Sequence, residues 1–176
     1  MSVLVVAVFS CPAWAGGKSA VPALTLEHQH PNGSFTFRTP EGWTVKPIAN
    51  EGLEAWGGEL GLRFTVQPGE QGLDSLHAAC IDEGLAPLAD MDPYRHYEYE
   101  YVGGLFADRR VLDTAHTVRY DAPVHGHRDW HQRTLTLVGG GQSLCIMAYA
   151  PTESWKGKST AKAVLNAVMG SVTFHR

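Results

Sequence analysis

The chain has 176 residues, of which 44% are hydrophobic and 18% charged, with a net charge of -4 at neutral pH. That length suits one domain burying roughly two thirds of its unfolded surface, and the apolar share excludes an intrinsically disordered chain. The acidic balance excludes the basic footprint of a nucleic-acid binder and leaves no polybasic patch for a membrane surface.

The first 17 residues, MSVLVVAVFSCPAWAGG, carry no charged side chain. Within them VLVVAVF is too short to cross a bilayer but long enough for the apolar stretch of a signal peptide, and Ala13-Trp14-Ala15 supplies a small-x-small cleavage pattern. The expectation is an exported protein, periplasmic or extracellular. Residues 1–15 would be the signal peptide and residues 20–176 a single domain, with no membrane span in the mature chain. Cys11, in VFSC, offers lipid anchoring as a competing reading. A first β-strand is a further alternative, opposed by Pro12 and Gly16-Gly17. Past residue 15 two cysteines remain, Cys80 and Cys145. In an oxidising compartment they form a disulfide candidate; two buried free thiols are the alternative.

From Leu24 the pattern is strand, turn, strand: ALTLEHQ, the turn HPNGS, then FTFRT. WTVKPI follows the break at Pro40 and Gly42, and LEAWGG with LRFTVQP reads as a further hairpin. GLDSLHAACIDEG changes period. Leu73, Leu76, His77 and Cys80 recur at helical spacing, with Asp74 a candidate N-cap and Gly84 a candidate stop. APLADMDP reads as a linker, and YRHYEYEYV as a half-buried strand with Tyr97, Tyr99 and Tyr101 on one face. That stripe suits cross-strand packing or a binding face. Two short strands are expected between Leu105 and Tyr120. RTLTLV and SLCIMAYA form a hairpin around the glycine loop, and the second strand, apolar on both faces, belongs in the middle of a covered sheet. KSTAKAVLNAVMG is a final helix leading into the strand SVTF. These elements define an α+β protein: an antiparallel β-sheet flanked by helices on both faces, an α/β/α sandwich.

FTFRTPEGW at residues 35–43, the early strand pairs, the central helix, and the ending in which SLCIMAYA leads through a Trp-containing loop to a helix and SVTF together resemble the PsbP/Mog-type α/β/α superfamily. The resemblance spans about residues 24–175. It implies a non-enzymatic binding or assembly role toward a protein partner in the envelope or outside the cell. Because the group includes secretion-effector chaperones, that role is a further alternative. The resemblance carries no catalytic residues and no cofactor.

The densest chemical cluster is HGHRDWH at residues 125–131. If the strand of RTLTLV begins near His125, then His125, His127, Asp129, His131 and Arg133 share a face with Leu135 and Leu137. His125, His127 and His131 are then a candidate zinc or copper site, and a small metal-binding protein or metal-dependent enzyme is the alternative function. The competing reading is a polar strand end. The metallo-β-lactamase pattern is excluded, because Trp130 breaks its spacing and no second ligand cluster follows. His28 and His30 could join the cluster only if their strand neighbours it. WKGKST lacks the first glycine of a phosphate loop, so Ser159 reads as a helix cap. No nucleophile motif is present. Trp56, Trp130 and Trp155, at strand ends or in loops, are candidates for a partner-binding surface or for lids on the core.

Overall fold

Turn chemistry and alternation place most strands. The computed structural model describes residues 21–49, 52–69, 72–89, 98–101, 104–106, 109–122, 126–155 and 159–175. The signal-peptide and lipid-anchor expectations lie outside these residues. In chain order the elements are β1 (Leu26–Gln29), β2 (Phe35–Thr39), β3 (Thr44–Ile48), β4 (Gly52–Gly57), β5 (Leu60–Pro68), α1 (Leu73–Ala89), β6 (Glu98–Tyr101) and β7 (Gly104–Phe106). There follow β8 (Arg109–Ala122), β9 (Gly126–Gly139), β10 (Gln142–Pro151), α2 (Thr152–Trp155), α3 (Thr160–Gly170) and β11 (Thr173–Phe174).

The β9–β10 hairpin turns through Gly140 and Gly141, whose φ angles of 62° and 75° are those a two-residue hairpin turn demands. Through this turn β10 lies beside β9, and its other edge pairs antiparallel with β5. The large sheet therefore runs β3-β4-β5-β10-β9-β8-β6, with β7 paired to β8 off that path. β10 is its middle strand, as its two apolar faces require. A second, small sheet has the order β1-β2-β11.

One face of the large sheet packs against α3 and the small sheet. Leu135, Leu144 and Ile146 meet Val164, Leu165, Val168 and Met169 of α3, all buried. Phe35 and Phe37 of β2 reach Phe64 of β5, with ring centroids 5.7 and 4.4 Å apart. The other face carries α1, whose Leu76 and Cys80 pack on Cys145 of β10. The result is an α/β/α sandwich. The small sheet shares the α3 side, a feature absent from the sequence-based expectation.

Three boundaries differ from those read in the sequence. α1 passes through Gly84 and continues over the expected linker as far as Ala89. The helix continues despite Gly84, which costs about 1 kcal/mol, and despite Pro87, which cannot donate to the helix ladder and costs more in a helix interior; Leu85, Ala86, Leu88 and Ala89 favour helix on either side of it. Asp74 lies in the first turn, where its carboxylate faces the helix dipole, while the Gly72 carbonyl accepts from Leu76 N–H. Second, β8 is one strand of 14 residues where two short ones were expected. It pairs with β9 from Leu112↔Thr136 to Ala122↔Gly126, and this partner supplies the continuity that its own alternation lacks. Third, the Trp-containing loop after β10 is the short helix α2.

Candidate functional site

HGHRDWH enters the large sheet as the start of β9, which begins at Gly126. His125 lies outside the described residues. Strand alternation sets His131 and Arg133 on the face of Leu135 and Leu137. On that face His131 stacks on Trp155 of α2, ring centroids 4.3 Å apart, and Arg133 donates to the side-chain oxygen of Asn166 of α3. The lower part of the histidine face is thus engaged in seating α2 and α3. Among the described residues no group of three His, Cys, Asp or Glu side chains could hold a metal ion. The candidate trio of His125, His127 and His131 includes His125 and so extends outside the described residues.

The other histidine pair does not neighbour β9, because β1 belongs to the small sheet. His28 hydrogen-bonds Thr39 Oγ1 at 2.8 Å and packs on Phe37; His30 is buried against Phe35 and meets Asn32 and Ser34. Burial lowers the pKa of His28 from its ordinary value. His30 is a buried residue of the turn. Its ring closes the β1–β2 turn over the core. Ser159 caps α3 as expected, its hydroxyl accepting from Lys162 N–H at 3.2 Å.

The three tryptophans have three different placements. Trp155 is 9% exposed and belongs to the core cluster, so it is not a partner surface. Trp130 is half-buried on the opposite face of β9 from His131, in register with Pro151 and Val118. Trp56 is half-buried on the α1 face at the same end of the sheet. One row of cross-strand partners there reads Trp56, Gly61, Tyr149, Gln132, His116 and Tyr99. The last two are placed by register alone; Tyr97 lies outside the described residues.

Gly61 makes this row possible. A Cβ at that position would collide with Cζ3, Cη2 and Cε3 of Trp56, so the indole lies over the glycine backbone. Tyr149 lies beyond it, its ring plane within 14° of the indole and its centroid 6.4 Å away. Trp56 Nε1 donates to Glu54 at 3.4 Å, and Lys46 pairs with the same carboxylate oxygen at 3.4 Å. The Tyr149 hydroxyl points to the Met147 sulfur at 3.4 Å. The Gly57–Leu60 hairpin register already pairs Trp56 with Gly61. Tyr149 has no such local signal, because its strand neighbours β5 only in the folded sheet.

Under α1 the same face is polar and closed. Thr65, Gln132, Thr134, Thr136 and Ser143 are buried, and His77 of α1 hydrogen-bonds Thr136 at 2.5 Å. Among the described residues, Thr65 Oγ1, Gln132 Oε1 and Thr134 Oγ1 have no hydrogen-bond partner. Cys80 and Cys145 are disulfide-bonded, their Cα atoms 5.9 Å apart, which is an ordinary separation for a bridge. The bond ties α1 to the central strand.

The architecture so assembled is that of the PsbP/Mog-like α/β/α sandwiches. Among solved structures, the chain is similar to the cyanobacterial PsbP (CyanoP) of Synechocystis, with a TM-score of 0.53 and 10% identity, covering 91% of this chain and 98% of that one. It is similar also to the Ran-binding protein Mog1p of Saccharomyces cerevisiae, with a TM-score of 0.51 and 8% identity, over 86% and 96% of the two chains. A protein of Bacteroides thetaiotaomicron matches with a TM-score of 0.58 and 9% identity over 88% of this chain, which spans 50% of that protein's length. At these identities the likeness is one of fold. By sequence, the chain matches no family model and no curated protein.

Proposed function

We propose that the protein is a non-catalytic binding or assembly factor for a protein partner in the envelope or outside the cell. The observation that carries the reading is the likeness in fold, over nearly its whole length, to a protein whose named role is to bind Ran. The disulfide supports an oxidising compartment, since such bonds persist outside the reducing cytosol. Commitment of histidines to hydroxyls and rings, as in His28–Thr39, His77–Thr136 and His131–Trp155, favours structural over catalytic roles for them. Among the described residues no helix is long and apolar enough to cross a membrane. Trp130 is the residue through which we expect the partner to be met, as a large ring at a polar strand end suits a contact centre.

The test is site-specific photo-crosslinking from position 130 of the full chain in its native host, combined with fractionation. The expected result is one discrete protein adduct outside the cytosol, loss of the co-purifying protein in Trp130→Ala, and a mature chain lacking residues 1–15. A chain found only in the cytosol, or an adduct pattern no different from that of a crosslinker on the far side of α3, would overturn the reading.

A further inference from the structure

The geometry points to a second binding site beyond the protein-partner role: a platform of Trp56 and Tyr149 that takes the flat face of a neutral saccharide ring. Three observations carry it. First, the two ring planes differ by 14° with centroids 6.4 Å apart, and both side chains are half-buried. Near-parallel rings so displaced do not cover each other's faces, and together they offer an aromatic surface larger than one ring. Second, that surface is held in place. Gly61 provides the floor for the indole, Glu54 accepts its N–H, and Met147 receives the Tyr149 hydroxyl. Ligand binding therefore requires little ordering of side chains, the main cost of a loose aromatic site.

Third, the described rim charges are paired and hydrogen-bonding. Glu54 and Lys46 form a pair, and Arg63 is paired with Glu83 at 3.5 Å. Paired charges give no attraction for an anion or cation, yet the carboxylate and ammonium still offer an acceptor and donors to hydroxyl groups. A pyranose combines these needs. Its C–H face rests on the electron-rich ring faces, and its equatorial hydroxyls reach outward to the rim. A hydrophobic peptide would leave the rim's hydrogen-bonding groups uncompensated.

The test is calorimetric titration of the oxidised chain with cellohexaose, maltohexaose, chitohexaose and xylohexaose. At least one should bind saturably, with an affinity insensitive to added salt, because no net charge is engaged. Trp56→Ala and Tyr149→Ala should each weaken binding about tenfold or more, roughly the loss of one stacked ring. Tyr149→Phe should keep it. Gly61→Ala should weaken it by displacing the indole, with melting curves showing that each variant folds. Absence of binding by all four sugars at millimolar concentration would overturn the proposal, as would binding indifferent to both alanine variants. Trp130→Ala should leave sugar binding intact. A sugar failure beside an intact protein adduct at position 130 therefore removes this site without touching the partner-binding role.

Discussion

The two faces of the large sheet are held in different ways. On the α3 side, Phe35, Phe37, Phe64, Leu135, Ile146 and Leu165 are fully buried in one continuous cluster. Such a face is stabilised chiefly by burial, at about 25 cal/mol per Å² of apolar surface. On the α1 side, the buried apolar side chains among described residues are Leu76, Cys80, Cys145 and Met147, with the partly buried Val138, over a field of threonines, glutamine and serine. Here a covalent bond and the His77–Thr136 hydrogen bond take over much of what apolar packing does opposite. One sheet thus supports a self-sufficient core and a helix that is tethered.

The largest effect should come from the self-sufficient face. Phe64→Ala removes the ring that Phe35 and Phe37 share, and should lower unfolding stability by about 3–5 kcal/mol in urea denaturation, together with loss of β2 packing. Replacing both cysteines should cost somewhat less, about 2–4 kcal/mol, chiefly by freeing the unfolded chain across a 65-residue separation. The two variants should also differ in kind. Amide exchange in α1 should accelerate in Cys80→Ala/Cys145→Ala while β5 and α3 stay protected. Equal acceleration on both faces would mean that α1 is not the tethered element, and a disulfide loss exceeding that of Phe64→Ala would reverse the ranking.

Within the polar face, neighbouring threonines sharpen the same contrast. Thr136→Val deprives buried His77 of its hydroxyl partner and should cost about 1–2 kcal/mol. Thr134→Val removes a fully buried hydroxyl that has no hydrogen-bond partner among the described residues, so it should be neutral or stabilising in the same denaturation assay. Similar penalties for both would show that the threonine face is uniformly bonded.

This polar face also explains what was and was not legible in the sequence. Hairpins announced by glycines, the both-sided apolar β10 and the capped α3 could be read directly, because their signals are local. β9 could be read only over RTLTLV. Its upstream half buries Gln132 and carries His131 and Arg133 into helix packing, so polarity there does not report exposure. β11 joins β2 across more than a hundred residues, marked by Arg38 N–H donating to Ser171 Oγ at 2.8 Å, and no local pattern encodes such pairing. The Trp56 platform is intermediate. Its glycine partner follows from the hairpin turn, whereas Tyr149 enters only because β10 inserts between β5 and β9.

The smallest predicted effect concerns the edge of the self-sufficient face. His28 sits on Phe37, and burial depresses its pKa below the ordinary value of 6.5. The folded chain then binds this proton less readily than the unfolded chain. Above the ordinary value both states are neutral and His28 contributes no pH dependence; as pH falls through that value toward the lower folded one, stability is lost. His28→Gln should therefore flatten the decline in urea midpoint between about pH 7.5 and about pH 5.5 without changing its value at the upper end by much. A variant with the same slope as the parent would place the acid sensitivity elsewhere. The effect should be modest because the imidazole is only half-buried, and for the same reason it reports the small sheet's edge without disturbing the phenylalanine cluster beneath.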